Sequence, residues 1–185
     1  MTIDRRRFVS GAGLGLLAFQ VGGATVLLRP REARAESIPY RVLSATEVAT
    51  VESLGNALLP AAAEAGLAHY LDQQLAADAT DSLLMIRYLD WPAPYAAFYK
   101  PCLAAVDVTA RARHGKSFHE LTPPECDATI GLLQKANPDG WQGPPAPLFY
   151  FVLRSDAVDV VYGTPEGFEK LGIPYMQHIM PPRKW

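Results

Sequence analysis

The N-terminal 35 residues constrain this chain more than any other feature, because they differ in kind from the other 150. Asp4-Arg5-Arg6-Arg7-Phe8-Val9-Ser10 is basic, and Gly11 to Leu28 then runs for 18 residues without a charge. Arg29, Arg31 and Arg34 come next, with the small-x-small triplet Ala33-Arg34-Ala35. A basic region, an apolar region and a small-residue cleavage triplet in that order read as an export leader. The pair Arg5-Arg6 followed by Phe8 and Val9 reads as a twin-arginine (Tat) signal, addressed to the Tat translocase. The alternative is a retained membrane anchor, since 18 uncharged residues lie at the lower limit for a span. The first reading makes residues 1–35 a cleavable leader and leaves 150 residues to fold, enough for one hydrophobic core.

Composition changes once the leader is set aside. The whole chain carries a net charge of −2. Without residues 1–35 it keeps 11 Lys and Arg against 17 Asp and Glu, a net charge of −6. An acidic domain lacks the clustered cations that nucleic-acid binding needs. Hydrophobic residues at 49% suit a globular fold rather than a disordered one.

Helix punctuation dominates the remainder. Ser44-Ala-Thr-Glu47 is a capping box with Leu43 and Val48 placed as a staple, and Val48, Val51, Leu54, Leu58 and Leu59 follow at helical spacing up to Pro60. Further helices are expected over about 67–77 and 82–90, the latter stopped by Trp91-Pro92-Ala93-Pro94. Another spans Tyr95 to Gly115, with Pro101 as a kink or a fresh start and Gly115 as the left-handed terminator. Thr122-Pro123-Pro124-Glu125 opens the next, and 137–147 is a loop. Residues 148–161 could supply a strand, but length and the spacing of Phe149, Val152, Leu153, Ala157 and Val160 favour a helix. After Gly163 the periodicity stops, and Pro165, Gly167, Gly172, Pro174, Pro181 and Pro182 mark an extended apolar arm. The expected architecture is all-α: a leader (1–35), a small irregular helical bundle (36–163) and a C-terminal arm (164–185).

Motifs for chemistry are missing. Gly11-Ala-Gly13-Leu-Gly15 imitates a dinucleotide loop, but no strand precedes it and Leu16 follows. The sequence has no GxxxxGK[ST] and no Cys-x-x-Cys-His for haem attachment. Cys102 and Cys126 sit near the starts of successive helices; an antiparallel pair would separate them by roughly 18 Å, beyond disulfide reach. Two half-buried thiols are therefore expected, with a disulfide as the alternative. His69, His114, His119 and His178 show no metal-ligand spacing, and His69 with Asp72 reads as a surface pair one turn apart. Trp91 and Phe149-Tyr150-Phe151 read as core aromatics. A chain addressed to a route for folded proteins, yet with no motif for a cofactor, suggests a partner subunit. A stand-alone periplasmic binding or metal-binding helical domain is the alternative.

One pattern goes further. Tyr95-x-x-Phe98, Leu103-x-x-Val106-Asp107-x-x-Ala110-Arg111, Gly115-Lys116-x-Phe118-x-x-Leu121-Thr-Pro123 and the tail from Val161-Tyr162-Gly163-Thr164 through Gly167-Phe168, Leu171-Gly172-Ile173-Pro174-Tyr175 resemble the gluconate 2-dehydrogenase subunit 3 family. Leu58-Leu59-Pro60 and Tyr70-Leu71-Asp72 fit it too. The resemblance implies a non-catalytic small subunit of a periplasmic, membrane-associated dehydrogenase. Its large partner would be a glucose–methanol–choline-type flavoprotein holding FAD, and a cytochrome c subunit with haem c would accept the electrons. The small subunit would stabilise the flavoprotein and carry it through the Tat pore. Tyr162, Gly163, Phe168, Gly172, Pro174 and Tyr175 are then the expected partner contacts. Gly163-Thr164-Pro165-Glu166-Gly167 departs from the gluconate-type tail, so the resemblance implies the subunit role and not the substrate.

Overall fold

The computed structural model describes residues 15–174, and its helices begin where the capping residues stand. Helix α1 covers Pro30–Ala35, α2 Ala45–Leu58, α3 Leu67–Ala76, α4 Ala96–His114, α5 Pro123–Leu133, α6 Ala146–Tyr162 and α7 Pro165–Lys170. Ser44 Oγ accepts the Glu47 amide at 3.3 Å while Glu47 accepts the Ser44 amide at 2.7 Å, the reciprocal box that starts α2. Thr122 and Glu125 repeat it at α5, with the Thr122 amide 2.8 Å from the Glu125 carboxylate. Gly115 ends α4 at φ +72°, a conformation that costs glycine nothing. Helix α4 runs through Pro101, which removes one hydrogen bond of the ladder without dividing the helix.

Helices α2 and α6 form the central pair. They touch each other, and each touches α3, α4 and α5. Val51, Leu54, Leu71, Phe98, Phe149 and Val152 lie between them, each at most 1% exposed. The Phe98 ring meets Trp91 and Tyr99 edge-on, with centroids 5.1 and 5.2 Å away. Cys102 and Cys126 are both buried and unpaired, as the helix geometry requires.

The structure departs from the all-α expectation at the N-terminal end. Leu17–Val21 (β1) and Ala24–Leu28 (β2) pair antiparallel, with Phe19 opposite Val26. Gly22 and Gly23 make the two-residue turn at φ +55° and +82°, the twist that matches paired strands. The described part of the uncharged run is thus a hairpin. Residues 82–90 also differ: only Met85–Leu89 is helical, as a 3-10 turn. In the segment expected to be extended, residues 165–170 instead form α7, because Thr164 Oγ1 accepts the Gly167 amide at 3.1 Å and Pro165 stands at the first helical position.

Candidate partner-binding surface

The surface is built outward from a buried acid. Asp156 lies on the inward face of α6 and is fully buried. Its carboxylate accepts the Met85 amide at 2.9 Å and the Tyr99 hydroxyl at 2.5 Å. Burial pushes this acid up to about 7, with the Met85 and Tyr99 donors pulling the other way and nearby Asp159 adding to the rise. Burial and the adjacent carboxylate hold the Tyr99 phenol well above its ordinary range. Helix α3 supplies the other anchors: Gln74 Oε1 accepts the Leu83 amide at 2.6 Å, and the Tyr70 hydroxyl donates to the Leu83 carbonyl at 3.2 Å.

These bonds decide which way residues 83–89 face. Leu84 and Ile86 are driven fully into the core. Leu83, Tyr88 and Leu89 are turned to solvent, at 46%, 62% and 40% exposure. Beside them, α6 presents Phe151 at 46% and Val158 at 39%. Met85, Phe151, Arg154 and Val158 line one shallow cleft. Leu83, Tyr88, Asp159, Gly163 and Thr164 share the next, of about 460 Å³, which reaches Leu17 and Pro30 of the N-terminal segment. Solvent-facing aromatic and aliphatic side chains joined by clefts form the kind of patch that partners cover.

Of the residues expected to face a partner, Gly163 lines the second of these clefts. Tyr162 is the half-buried last residue of α6. Exposed Gly163 follows it, and a Cβ there would stand 2.4 Å from the Asp159 carbonyl oxygen. Phe168 is partly buried in α7, Gly172 is exposed at φ +67°, and Pro174 is exposed. Tyr175, like Arg5, Arg6 and Phe8 of the expected export signal, lies outside the described residues. Leu171 and Ile173 join the exposed set at 51% and 48%.

Sequence reasoning misses Leu83, Tyr88, Leu89, Phe151 and Val158. Phe151 reads as a core aromatic by its neighbours, yet only Phe149 of that cluster is buried to 1%. The signal is available: positions 149, 152, 153, 156, 157 and 160 define one helical face, and 151 and 158 lie off it.

A second pair is also corrected. His69 and Asp72 are not surface residues; both are 4% exposed. Asp72 accepts the amides of Arg41, Val42 and Leu43, each at 2.8 Å. His69 Nε2 lies 3.1 Å from the Ile38 carbonyl oxygen and Nδ1 lies 3.0 Å from the Tyr40 hydroxyl. A neutral imidazole with its proton on Nε2 satisfies both contacts, and burial holds it below its ordinary range. The pair clamps residues 38–43 against α3.

Among the described residues there is no group of three or more His, Cys, Asp or Glu able to hold a metal ion. None of the described helices is long and apolar enough to cross a membrane. Gly15, the last glycine of the dinucleotide-like run, leads into the hairpin rather than a helix N terminus. Comparison with curated proteins and with solved structures returns no match. The family model for gluconate 2-dehydrogenase subunit 3 matches residues 45–180, from the start of α2 past the end of α7. On that match, over well more than half its length, the chain belongs to the gluconate 2-dehydrogenase subunit 3 family.

Proposed function

We propose that this chain is the non-catalytic small subunit of a periplasmic, membrane-associated, FAD-dependent sugar or alcohol dehydrogenase. It covers and stabilises a large glucose–methanol–choline-type flavoprotein and carries it through the Tat pathway on its own leader. FAD belongs to that partner, and haem c to a cytochrome c subunit that takes the electrons. This chain has neither a dinucleotide fingerprint nor a Cys-x-x-Cys-His motif of its own. The observation that carries the reading is the apolar strip of Leu83, Tyr88, Leu89, Phe151 and Val158, held outward by buried polar anchors in a member of a dehydrogenase-subunit family. Tyr162, Gly163, Phe168, Gly172, Pro174 and Tyr175 remain the further contacts expected from the sequence, and Gly163 shares a cleft with Leu83 and Tyr88 of that strip.

Co-expression of the large flavoprotein with this chain tests it. Aromatic anchors at the centre of an interface each contribute about 2 kcal/mol or more, close to 30-fold in affinity. The double variant Tyr88→Asp, Phe151→Asp is expected to lose the flavoprotein from co-purification and from the periplasmic fraction. The melting temperature of the free chain should change little, since both side chains already face solvent. A chain ending at Tyr162 should fail in the same way. Full export and assembly with both altered chains would sink the proposal.

A further inference from the structure

The N-terminal segment raises a question the leader reading leaves open. The triplet Ala33-Arg34-Ala35 that would direct cleavage before Glu36 is built into the fold. Ala33, whose small side chain a leader peptidase has to seat, is 0% exposed. The triplet closes α1, with the Ala33 amide 3.0 Å from the Arg29 carbonyl oxygen. The amide of the scissile bond itself, Glu36 N–H, donates to the Glu32 carbonyl at 2.9 Å. Downstream, the Ile38 amide donates back to the Ala33 carbonyl at 2.9 Å.

Both flanks of the bond are pinned to the body. Upstream, Phe19 and Ala33 pack with Ile38 in a small apolar cluster of their own. Arg29 pairs with Glu166 of α7, and Arg34 lies 3.2 Å from Glu52 of α2. At Gly66, with φ +90°, a Cβ would fall 2.3 Å from the Pro30 carbonyl carbon and oxygen. The body thus admits α1 only because residue 66 has no side chain. Downstream, the His69 and Asp72 clamp holds residues 38–43, and Lys100 Nζ donates to the Val42 carbonyl at 2.8 Å.

Peptidases bind substrate backbone in an extended form, through main-chain hydrogen bonds that a helical turn has already used internally. Hydrolysis adds one water to the Ala35–Glu36 amide, leaving a carboxylate on Ala35 and an ammonium group on Glu36. That reaction needs the triplet straightened and Ala33 exposed. We propose that residues 17–35 form a docked arm that shields their own processing site, so that the folded subunit keeps its leader and cleavage proceeds only from an undocked state. The inference rests on reading residues 1–35 as an export leader.

Leader peptidase in detergent micelles, acting on the purified full-length folded chain, tests this against a synthetic peptide of residues 5–42, with intact mass as the readout. The folded chain is expected to be cut after Ala35 at least about a hundredfold more slowly than the peptide. That factor corresponds to an opening free energy of about 2.7 kcal/mol when cleavage tracks the open population. Gly66→Ala, which places a methyl group on the Pro30 backbone and leaves every residue the peptidase reads unchanged, should bring the rate towards that of the peptide. Amide hydrogen exchange on the unaltered chain is the second measurement: the amides of Ala33, Glu36 and Ile38 should exchange at least about a hundredfold more slowly than in the peptide. Cleavage of the folded chain at the peptide's rate, or unprotected amides over 33–38, overturns the shield and leaves the leader reading standing. A peptide that is not cut after Ala35 overturns both.

Discussion

Asp156 makes the stability of this fold depend on pH in a direction opposite to that of an ordinary surface acid. Its folded carboxyl sits at about 7, against about 3.9 for an unfolded aspartate. Below about pH 4 both states hold the proton. Between about 4 and 7 the folded chain holds it and the unfolded chain does not, so stability falls as pH rises through that window and levels off above it. Each pH unit inside the window is worth about 1.4 kcal/mol, so moving from pH 5 to pH 8.5 removes about 2.7 kcal/mol. His69 acts in the reverse sense: burial keeps it neutral in the fold, so stability is lost as pH falls below about 6.5. The variant Asp156→Asn separates the two. Its amide oxygen can still accept the Met85 amide, and its amide nitrogen can donate to a Tyr99 hydroxyl that turns to accept. Urea unfolding of both full-length chains at pH 5 and pH 8.5 gives the double difference. Asp156→Asn is expected within about 1 kcal/mol of the parent at pH 5 and to gain about 2.7 kcal/mol on it by pH 8.5, an advantage of about 5 to 10 °C in melting temperature. A difference between the chains that stays constant across that range would refute the argument, because the buried carboxyl would then be ionised in the fold throughout.

Two other perturbations concern buried groups. Asp72→Ala leaves the amides of Arg41, Val42 and Leu43 without their acceptor, and the buried Leu43 amide has no access to water. A loss of about 3 kcal/mol is expected by urea unfolding, and a loss under about 1 kcal/mol would mean that the clamp is dispensable. Burial pushes the Cys102 thiol up to about 12 and raises Cys126 as well; since the thiolate is the reactive form, neither should be labelled by a thiol reagent in the native chain, and both should be labelled in denaturant without prior reduction.

Local signals are readable wherever a few neighbouring residues decide the outcome. Ser44 with Glu47, Thr122 with Glu125, and Gly115 each fix a helix end from within four positions, and the structure places those ends within a residue of expectation. The misreadings at residues 82–90 and at His69 with Asp72 share one cause, which is distance along the chain, whereas the Thr164-Pro165 start of α7 and the outward position of Phe151 on α6 carry local signals. Residues 82–90 carry enough apolar periodicity for a helix, but Gln74, Tyr70 and Asp156 capture Leu83 and Met85 from α3 and α6, and only a 3-10 turn survives. His69 and Asp72 look like a solvated pair within their own helix; the backbone they bind arrives from some thirty residues upstream. Gly22-Gly23 between uncharged runs suits both an export leader and a tight hairpin, and the register of Phe19 against Val26 identifies the hairpin only once both strands are in place.

The two fully engaged carboxylates also explain how a helical bundle can present an irregular surface. Helix packing alone orients side chains on helices; it cannot hold a connecting segment in one register. Asp72 and Asp156, the buried carboxylates among the described residues, each bind backbone amides of a segment outside regular helix, residues 41–43 in one case and Met85 in the other. One therefore fixes the chain just after α1, and the other fixes the turn that carries Tyr88 and Leu89. The oxygens of these acids meet backbone amides and, for Asp156, the Tyr99 hydroxyl, so each acid positions a segment of chain. Burying a carboxylate for that purpose carries a stability cost that an apolar residue would avoid. The cost is understandable where the orientation of a surface matters more than the last increment of stability, a condition that the proposed subunit role would impose.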